Sequence, residues 1–126
     1  MNLRTPLGRV LGLGSAKDGT AHFWGQRVSG IALALLGSWF VISFAASGDF
    51  SHAAVLSEVS RPLNGLLLIL LSLTLAYHSQ LGVQVVIEDY VHGHGLKIAS
   101  LLISRFVHTL FAAAAVYAVI RIGLGA

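Results

Sequence analysis

Residues 62–87 read PLNGLLLILLSLTLAYHSQLGVQVVI, and this stretch decides the fold. It contains no Asp, Glu, Lys or Arg, and its only ionisable side chains are Tyr77 and His78. A helix that crosses the hydrocarbon core of a bilayer, about 30 Å thick, needs about 20 apolar residues. Because lipid offers no partner for backbone N–H and C=O groups, a crossing segment must be helical. The stretch therefore predicts a transmembrane helix with a histidine inside it.

Two further segments are long and apolar enough to cross a membrane. Residues 28–48 carry no charge, and residues 98–120 are interrupted by Arg105 and His108. Hydrophobic residues make up 56% of the chain and charged residues 10%, whereas soluble domains carry about 25% charged residues. The sequence thus predicts an all-α integral membrane protein. Its three transmembrane helices are expected at about 28–48, 62–90 and 98–121.

The charges next to the spans predict the direction of crossing. Four basic residues precede the first span: Arg4, Arg9, Lys17 and Arg27. The loop after that span holds two acids and one base: Asp49, Glu58 and Arg61. Because cytoplasmic flanks carry the excess of Lys and Arg, residues 1–27 are predicted to form a cytoplasmic N-terminal arm. Residues 28–126 then form the three-helix anchor, with the C-terminus on the outer side.

Several functions are excluded by the residue types that the chain lacks. There is no cysteine, so disulfides, iron–sulfur ligation and a zinc finger cannot be built from this chain. Few charges are present for binding nucleic acid, and the formal net charge of +3 fits the orientation rule better. The glycine-rich GLGSAKDG at residues 12–19 lacks the ending of a phosphate loop. The arm is expected to lie along the membrane interface or a partner protein.

His78 is the residue of the second span that most needs an explanation. It lies about three helical turns before Asp89, so the two share one face if the helix continues. Gly82, one turn after His78, leaves space for a flat group such as haem. Haem iron needs a neutral imidazole nitrogen, but the residue could instead be a buried histidine that hydrogen-bonds a neighbouring helix. For Arg105 and His108, which share a face of the third helix, an interhelical polar contact and a functional role both remain open.

Glu88, Asp89 and Tyr90 end the second helix. Acids at a helix C-terminus oppose the helix dipole, which makes them unusual as a simple stop. In one interpretation they only mark the helix end, with Tyr90 in the interfacial aromatic belt. In the other, the tyrosine hydroxyl donates to a quinone carbonyl and the carboxylate holds or relays protons. His92 and His94 are interpreted as residues of a glycine-rich loop.

The sequence HSQLGVQVVIEDYVH, residues 78–92, resembles the signature of a known membrane-protein family. The family is the small hydrophobic membrane-anchor subunit of succinate dehydrogenase, respiratory complex II. Its pattern is a histidine, a glycine four residues on, and Asp-Tyr at eleven and twelve, which His78, Gly82, Asp89 and Tyr90 match. Residues 4–33 also resemble the arm and first helix of alphaproteobacterial members. The resemblance covers nearly the whole chain.

This resemblance implies a role for each matching residue. His78 would be the axial ligand that this subunit gives to the iron of a haem b, which it would share with the companion cytochrome b subunit. Tyr90 would hydrogen-bond the carbonyl of ubiquinone, with Asp89 beside it in proton transfer. Arg27 would lie near both the haem propionates and the quinone pocket, and His22 near the propionates.

Partners and location are implied in the same way. FAD and the iron–sulfur clusters would lie in the flavoprotein and iron–sulfur subunits, so this chain would carry out no succinate chemistry itself. The anchor would be a multi-pass protein of the bacterial inner membrane, with its C-terminus in the periplasm and no nucleic acid partner. Two alternatives remain open. In the first, the chain is the companion cytochrome b subunit, because RVSG at residues 27–30 is similar to that subunit's HRxSG motif, although Gln26 rather than histidine precedes Arg27. In the second, it is a small transporter component whose polar residues line a path through the spans.

Overall fold

The computed structural model describes residues 19–125, which form four α-helices. In chain order these are α1 (Gly19–Ser47), α2 (His52–Ser60), α3 (Pro62–Tyr90) and α4 (His94–Gly123). Three of them, α1, α3 and α4, are long and apolar enough to cross a membrane. No strand occurs between residues 19 and 125. The predicted all-α fold with three spans is confirmed.

The ends of α3 match the prediction, and local chemistry explains them. Pro62 stands in the first turn, where its missing N–H costs nothing and its fixed φ suits a helix. At the other end, Val91 is extended. Lys97 Nζ donates to the carbonyl of Glu88 at 2.8 Å, and His92 Nδ1 to the carbonyl of Tyr90 at 3.0 Å. These basic groups satisfy carbonyls that the helix leaves open, and they offset the acids there.

The helix α1 begins at Gly19, well before the predicted start at Val28. Hydropathy identifies the part of a helix that lies in hydrocarbon, but the helix itself can continue past that boundary. Residues 19–27, predicted as part of the arm, are therefore helical. Residues 1–18 of the arm lie outside the described residues. The other end of α1 lies next to Gly48, whose φ of 67° belongs to the left-handed region that favours glycine.

A short helix, α2, lies between α1 and α3 and was not predicted. Ser51 caps it, accepting a hydrogen bond from the N–H of Ala54 at 3.3 Å. The N–H of Ser51 in turn donates to Asp49 Oδ1 at 2.8 Å. The pKa of Asp49 lies below its ordinary value. The main cause is this backbone hydrogen bond, and a hydrogen bond from the Ser51 side chain is the second cause. With nine residues, α2 is too short to stand out from hydropathy alone.

The long helices form a row in the order α1, α3, α4. Helix α3 contacts both neighbours, while α1 and α4 do not contact each other within the described range. Consecutive long helices run in opposite directions, so Gly19, Tyr90 and His94 lie at the same end of the row, hereafter the Tyr90 end. The α2 helix packs at the opposite end against α3 and α4. Val59 and Leu81 are the only apolar side chains buried among residues 20–125.

Candidate functional site

His78 lies in the seam between α1 and α3. Its Nδ1 is 2.9 Å from Ser29 Oγ, and its Nε2 is 3.5 Å from the amide nitrogen of Gln26. Gly30 lies next to the ring, since a Cβ added there would be in ordinary contact with the ring carbon Cε1 at 3.4 Å. The imidazole is thus held by three residues within one turn of α1.

Ser29 is itself buried and held in place. Its side chain is only 6% exposed, and its hydroxyl donates to the carbonyl of Gly25 at 2.6 Å. The carbonyl of Gln26 is a longer alternative at 3.2 Å. A serine that bonds back to the preceding turn is common in helices that have no water around them. The hydroxyl therefore has a fixed position beside the histidine.

Two polar atoms of α1 remain unsatisfied, one beside His78 and one nearer the Tyr90 end. Gln26 Oε1 and His22 Nε2 are both buried without a hydrogen-bond partner among residues 19–125. His78 Nε2 has only the Gln26 amide, at the outer limit of a hydrogen bond. Buried polar atoms normally have partners, so a group of them without partners indicates a site completed by something else.

His108, the other histidine deep in a span, has a different environment. Its Nδ1–H donates to the carbonyl of Ser104 at 2.7 Å. Its Nε2 is 3.0 Å from Ser79 Oγ on α3, so it accepts from that hydroxyl. Both ring nitrogens are therefore occupied, one of them across the α3–α4 contact. The interhelical polar contact, one of the two open interpretations of His108, is what the structure shows.

Arg105 lines a groove between α3 and α4. The groove has a volume of about 460 Å³. Its polar lining residues are Tyr77, Gln80, Gln84, Arg105, His108 and Thr109. Arginine within a span is costly in lipid, and this groove places Arg105 beside other polar side chains. Within residues 19–125, its guanidinium forms no ion pair.

Asp89 and Tyr90 are in the last turn of α3 and both are exposed. Tyr90 is 78% exposed, and within residues 19–125 the carboxylate of Asp89 takes part in no ion pair or hydrogen bond. The helix continues without a break from His78 to Tyr90, as the shared face of His78 and Asp89 requires. By helical rise, Tyr90 lies about 18 Å along the axis from His78. The two predicted sites are therefore at different depths on one helix.

Arg27 and His22 are on α1, on the Tyr90 side of His78. Since Gly30 lies beside His78, helical rise places Arg27 about 4.5 Å and His22 about 12 Å nearer the Tyr90 end. The guanidinium of Arg27 is 5.1 Å from the centre of the Phe23 ring, a cation–π contact. No hydrogen bond or ion pair joins it to Asp89 or Tyr90 in the described part of the chain. In depth, Arg27 is much nearer to His78 than to Tyr90.

His92 and His94, at the junction of α3 and α4, do not belong to a metal cluster. Among residues 19–125, no group of three or more His, Cys, Asp or Glu side chains could hold a metal ion. His92 instead hydrogen-bonds the end of α3, consistent with its interpretation as a loop residue. The same interpretation was wrong for His94, which is the first residue of α4; that helix begins four residues before the predicted start at residue 98.

Comparison with known proteins shows what this arrangement belongs to. The family model for the succinate dehydrogenase/fumarate reductase transmembrane subunit matches residues 1–120. This chain belongs to that family. Its place in the family is that of the hydrophobic membrane anchor of succinate dehydrogenase, because its curated relatives carry that name.

Three relatives illustrate the similarity of this anchor subunit. The succinate dehydrogenase hydrophobic membrane anchor subunit of Paracoccus denitrificans is 36% identical over 126 residues, which covers all of this chain and 97% of that protein. The subunit of the same name from Rickettsia bellii is 33% identical over 96 residues, 76% of this chain and 77% of that protein. The membrane anchor subunit of Reclinomonas americana is 32% identical over 94 residues, 72% and 78% respectively. The resemblance expected from the histidine and Asp-Tyr pattern is confirmed, and these names favour the anchor over the companion cytochrome b subunit.

Sequence reasoning identified His78 in the anchor subunit but missed two of its neighbours. Ser29 and Gln26 both contact the imidazole, and neither was singled out. The available signal was the RVSG segment, in which a small polar residue precedes Gly30, a position that allows close helix contact. Gly82, expected to leave room for a flat group, faces α1, where a Cβ would lie 3.9 Å from the Gln26 amide.

Proposed function

We propose that this anchor holds succinate dehydrogenase on the bacterial inner membrane and contributes to the haem b and ubiquinone sites that carry electrons from succinate to quinone. The observation that supports the proposal best is the state of His78. Its Nδ1 is engaged by Ser29, and its Nε2 has no strong partner in the described residues. In His108, by contrast, both nitrogens are occupied.

The residues around His78 fit a haem. A neutral imidazole nitrogen is a suitable ligand for haem iron, and the unpartnered Oε1 of Gln26 supplies polarity beside it. His78 would hold the iron from this chain, and the cytochrome b subunit would supply the second axial ligand. Arg27, a cation near the depth of His78, would bind the propionates, together with His22. When bound, the haem supplies one-electron transfer within the membrane.

Tyr90 and Asp89 are proposed to act on the quinone, with Arg27 at the edge of the pocket. Ubiquinone takes up two electrons and two protons to become a quinol. The exposed hydroxyl of Tyr90 would donate a hydrogen bond to a quinone carbonyl oxygen. This bond strengthens as negative charge builds on the oxygen during reduction, so it favours the reaction rather than binding alone. The carboxylate of Asp89, exposed and unpaired among residues 19–125, would pass protons from the cytoplasm.

The remaining chemistry is assigned to partner subunits. A chain without cysteine cannot hold iron–sulfur clusters, and it carries no recognisable flavin-binding pattern. We assign the FAD to a flavoprotein subunit and the clusters to an iron–sulfur subunit, both docked on the cytoplasmic side near Tyr90. The excess of basic residues in the arm and at Arg27 supports a cytoplasmic position for that end of the row, by the positive-inside rule.

Replacing Tyr90 by Phe tests the quinone part of the proposal. Losing one donor that acts on developing charge costs about 10²–10³-fold in rate, so succinate:quinone reductase activity should fall by that order. Succinate oxidation with an artificial acceptor that takes electrons directly from the flavin should be unchanged. If both activities fall together, Tyr90 holds the complex together and does no quinone chemistry.

The haem part is tested by two matched histidine substitutions. His78→Ala should abolish or alter the reducible haem b bands of the purified complex, because neither His108 nor His22 can replace it. His108 is hydrogen-bonded at both ring nitrogens, and His22, whose Nε2 has no partner among residues 19–125, lies about 12 Å along the helix axis from the level of His78. His108→Ala should leave the spectrum as in the wild type. If the bands are unchanged in His78→Ala and lost in His108→Ala, the ligand is on α4 and our assignment to α3 is wrong. A complex without any chromophore would instead favour a transporter role.

A further inference from the structure

We propose that Ser29 is a positioning residue for His78: its hydroxyl fixes which ring nitrogen carries the proton and so aims the bare Nε2 at the haem iron. The inference rests on the proposed role of His78 as a haem ligand. It adds a residue of a different helix to that role. Which ring nitrogen is protonated follows from the donors and acceptors available at the Ser29 hydroxyl, the backbone carbonyls of α1 and the imidazole.

The hydroxyl of Ser29 has one proton, and two neighbouring oxygens can only accept it. The carbonyl of Gly25 is the nearer, at 2.6 Å from Oγ, and the carbonyl of Gln26 is at 3.2 Å. A proton directed to either carbonyl leaves Oγ as an acceptor toward His78 Nδ1, 2.9 Å away. Nδ1 must then carry the hydrogen. A neutral imidazole has a single N–H, so Nε2 keeps its lone pair.

Gly30 and burial make this arrangement rigid. Ser29 is 6% exposed and lies where water cannot compete for its hydroxyl. Gly30 lies against the ring, with an added Cβ in ordinary contact at 3.4 Å from Cε1, so the imidazole packs on the same part of α1 that hydrogen-bonds it. A hydrogen bond on the non-ligating nitrogen is the usual device that fixes the tautomer and orientation of a ligating histidine.

In this structure, the side-chain amide of Gln26 occupies the place next to His78 Nε2 where the haem iron would bind. Its amide nitrogen is 3.5 Å from Nε2, a weak contact, and its Oε1 has no partner among residues 19–125. An amide held this loosely can turn aside with little loss of hydrogen bonding. The Ser29 bond is shorter and anchored to the backbone of α1, so the ring keeps its orientation when Gln26 moves.

The Ser29 bond should affect both how tightly haem is held and its reduction potential. An acceptor at Nδ1–H makes the imidazole more basic, which strengthens the Fe–N bond and favours ferric over ferrous iron. Loss of such an outer partner typically costs about 10–100-fold in metal affinity, and a loss in that range is expected here. Without the acceptor, the midpoint potential should become more positive.

The test compares four variants of the whole complex, in membrane vesicles and after purification. Ser29→Ala and Ser29→Val remove the hydroxyl, whereas Ser29→Thr keeps a hydroxyl that can still bond the previous turn. The control is Ser72→Ala, because Ser72 makes the same type of backbone bond, to Leu68 at 2.7 Å, and has no histidine partner. The readouts are the rate of haem transfer to apomyoglobin and the haem midpoint potential by redox titration.

We expect Ser29→Ala and Ser29→Val to lose haem about 10–100-fold faster and to titrate at a more positive potential. Ser29→Thr and Ser72→Ala should behave as the wild type. The proposal is overturned if the Ala and Val variants match Ser72→Ala, or if the Thr variant changes as much as they do. Should neither the Ala nor the Val complex assemble, Ser29→Cys, with its weaker acceptor, must give a partial positive shift or the proposal fails. If His78→Ala retains its haem bands, the proposed ligand itself is wrong, which is a separate result.

Discussion

Helices α1 and α3 approach each other closely at Gly25, and adding one methyl group there should displace the Tyr77 side chain of α3. A Cβ on Gly25 would lie 2.7 Å from Tyr77 Oη, 3.3 Å from Leu81 Cδ1 and 3.6 Å from Tyr77 Cζ. Ordinary contact begins at 3.4 Å, so the shortfall at the hydroxyl is 3.4 − 2.7 = 0.7 Å, and the shortfall at Leu81 is only 0.1 Å. Most of the clash in Gly25→Ala thus comes from a single oxygen atom.

The expected cost follows from that geometry. Inserting a methyl group into a packed contact costs about 1–3 kcal/mol when neighbours must move. An alanine also gains up to about 1 kcal/mol of helix propensity over glycine, so a reference for that gain is needed. Gly37 lies on the same helix with nothing within 4 Å of its added Cβ, which makes Gly37→Ala the matched control. Relative to this control, Gly25→Ala should destabilise the complex.

The decisive variant is the double substitution Gly25→Ala with Tyr77→Phe. Removing the hydroxyl leaves the ring carbon at 3.6 Å, an ordinary contact, so most of the lost stability should return. Tyr77→Phe alone should be nearly neutral, because within residues 19–125 its hydroxyl has no hydrogen-bond partner. The measurement is the temperature at which the detergent-solubilised complex releases its subunits, followed by size-exclusion chromatography. If Gly25→Ala matches Gly37→Ala, or if Tyr77→Phe fails to restore it, the close approach of the helices is not as described.

Three further predictions concern topology, proton transfer and the loop before α2. The chain has no cysteine of its own, so single cysteines introduced at His92 and Ser57 can be labelled specifically. They should be labelled from opposite sides of the membrane, with position 92 on the cytoplasmic side, and labelling of both from one side would contradict the orientation. Asp89→Asn should lower quinone reductase activity and change its pH profile, because an amide cannot carry the proton, whereas an unchanged profile would exclude a relay role. The pKa of Asp49, measured by NMR, should lie below 3.8 and rise toward that value in Ser51→Ala. As the folded-state pKa is the lower one, its contribution to stability is present above 3.8 and is lost as the pH falls through the lowered value.

Much of the fold could be predicted because a membrane constrains sequence strongly. The second helix was predicted at 62–90, and α3 is Pro62–Tyr90. The bounds agree because the proline, the apolar run and the polar end of this helix are all local signals in the sequence. The start of α1 and the whole of α2 were missed. Hydropathy does not report helix that continues outside hydrocarbon, and α2 is amphipathic, short and set by the Ser51 cap.

The site could be predicted only in part. The candidate haem-ligating histidine can be recognised from the sequence, but the residues that contact it depend on how the helices pack. His78 stands out by its cost in a span, and the Asp-Tyr pattern places it in a family. Its contact with Ser29 depends on the rotation and register of α1 against α3, which glycines at 25 and 30 set through packing. The same applies to Ser79 and His108: each is visible in the sequence, but their hydrogen bond is a property of the α3–α4 contact.

The row arrangement of the helices has a consequence for the life of the protein in the cell. With α1 and α4 apart and only Val59 and Leu81 buried among the apolar side chains of residues 20–125, the described part of the chain has almost no interior of its own. Partner subunits that bind its folded state should add to its stability, which by mass action rises with their concentration. We therefore expect a copy made in excess of its partners to be degraded faster than a copy that binds them early. The abundance of this anchor should therefore be set by the supply of its partners rather than by its own rate of synthesis.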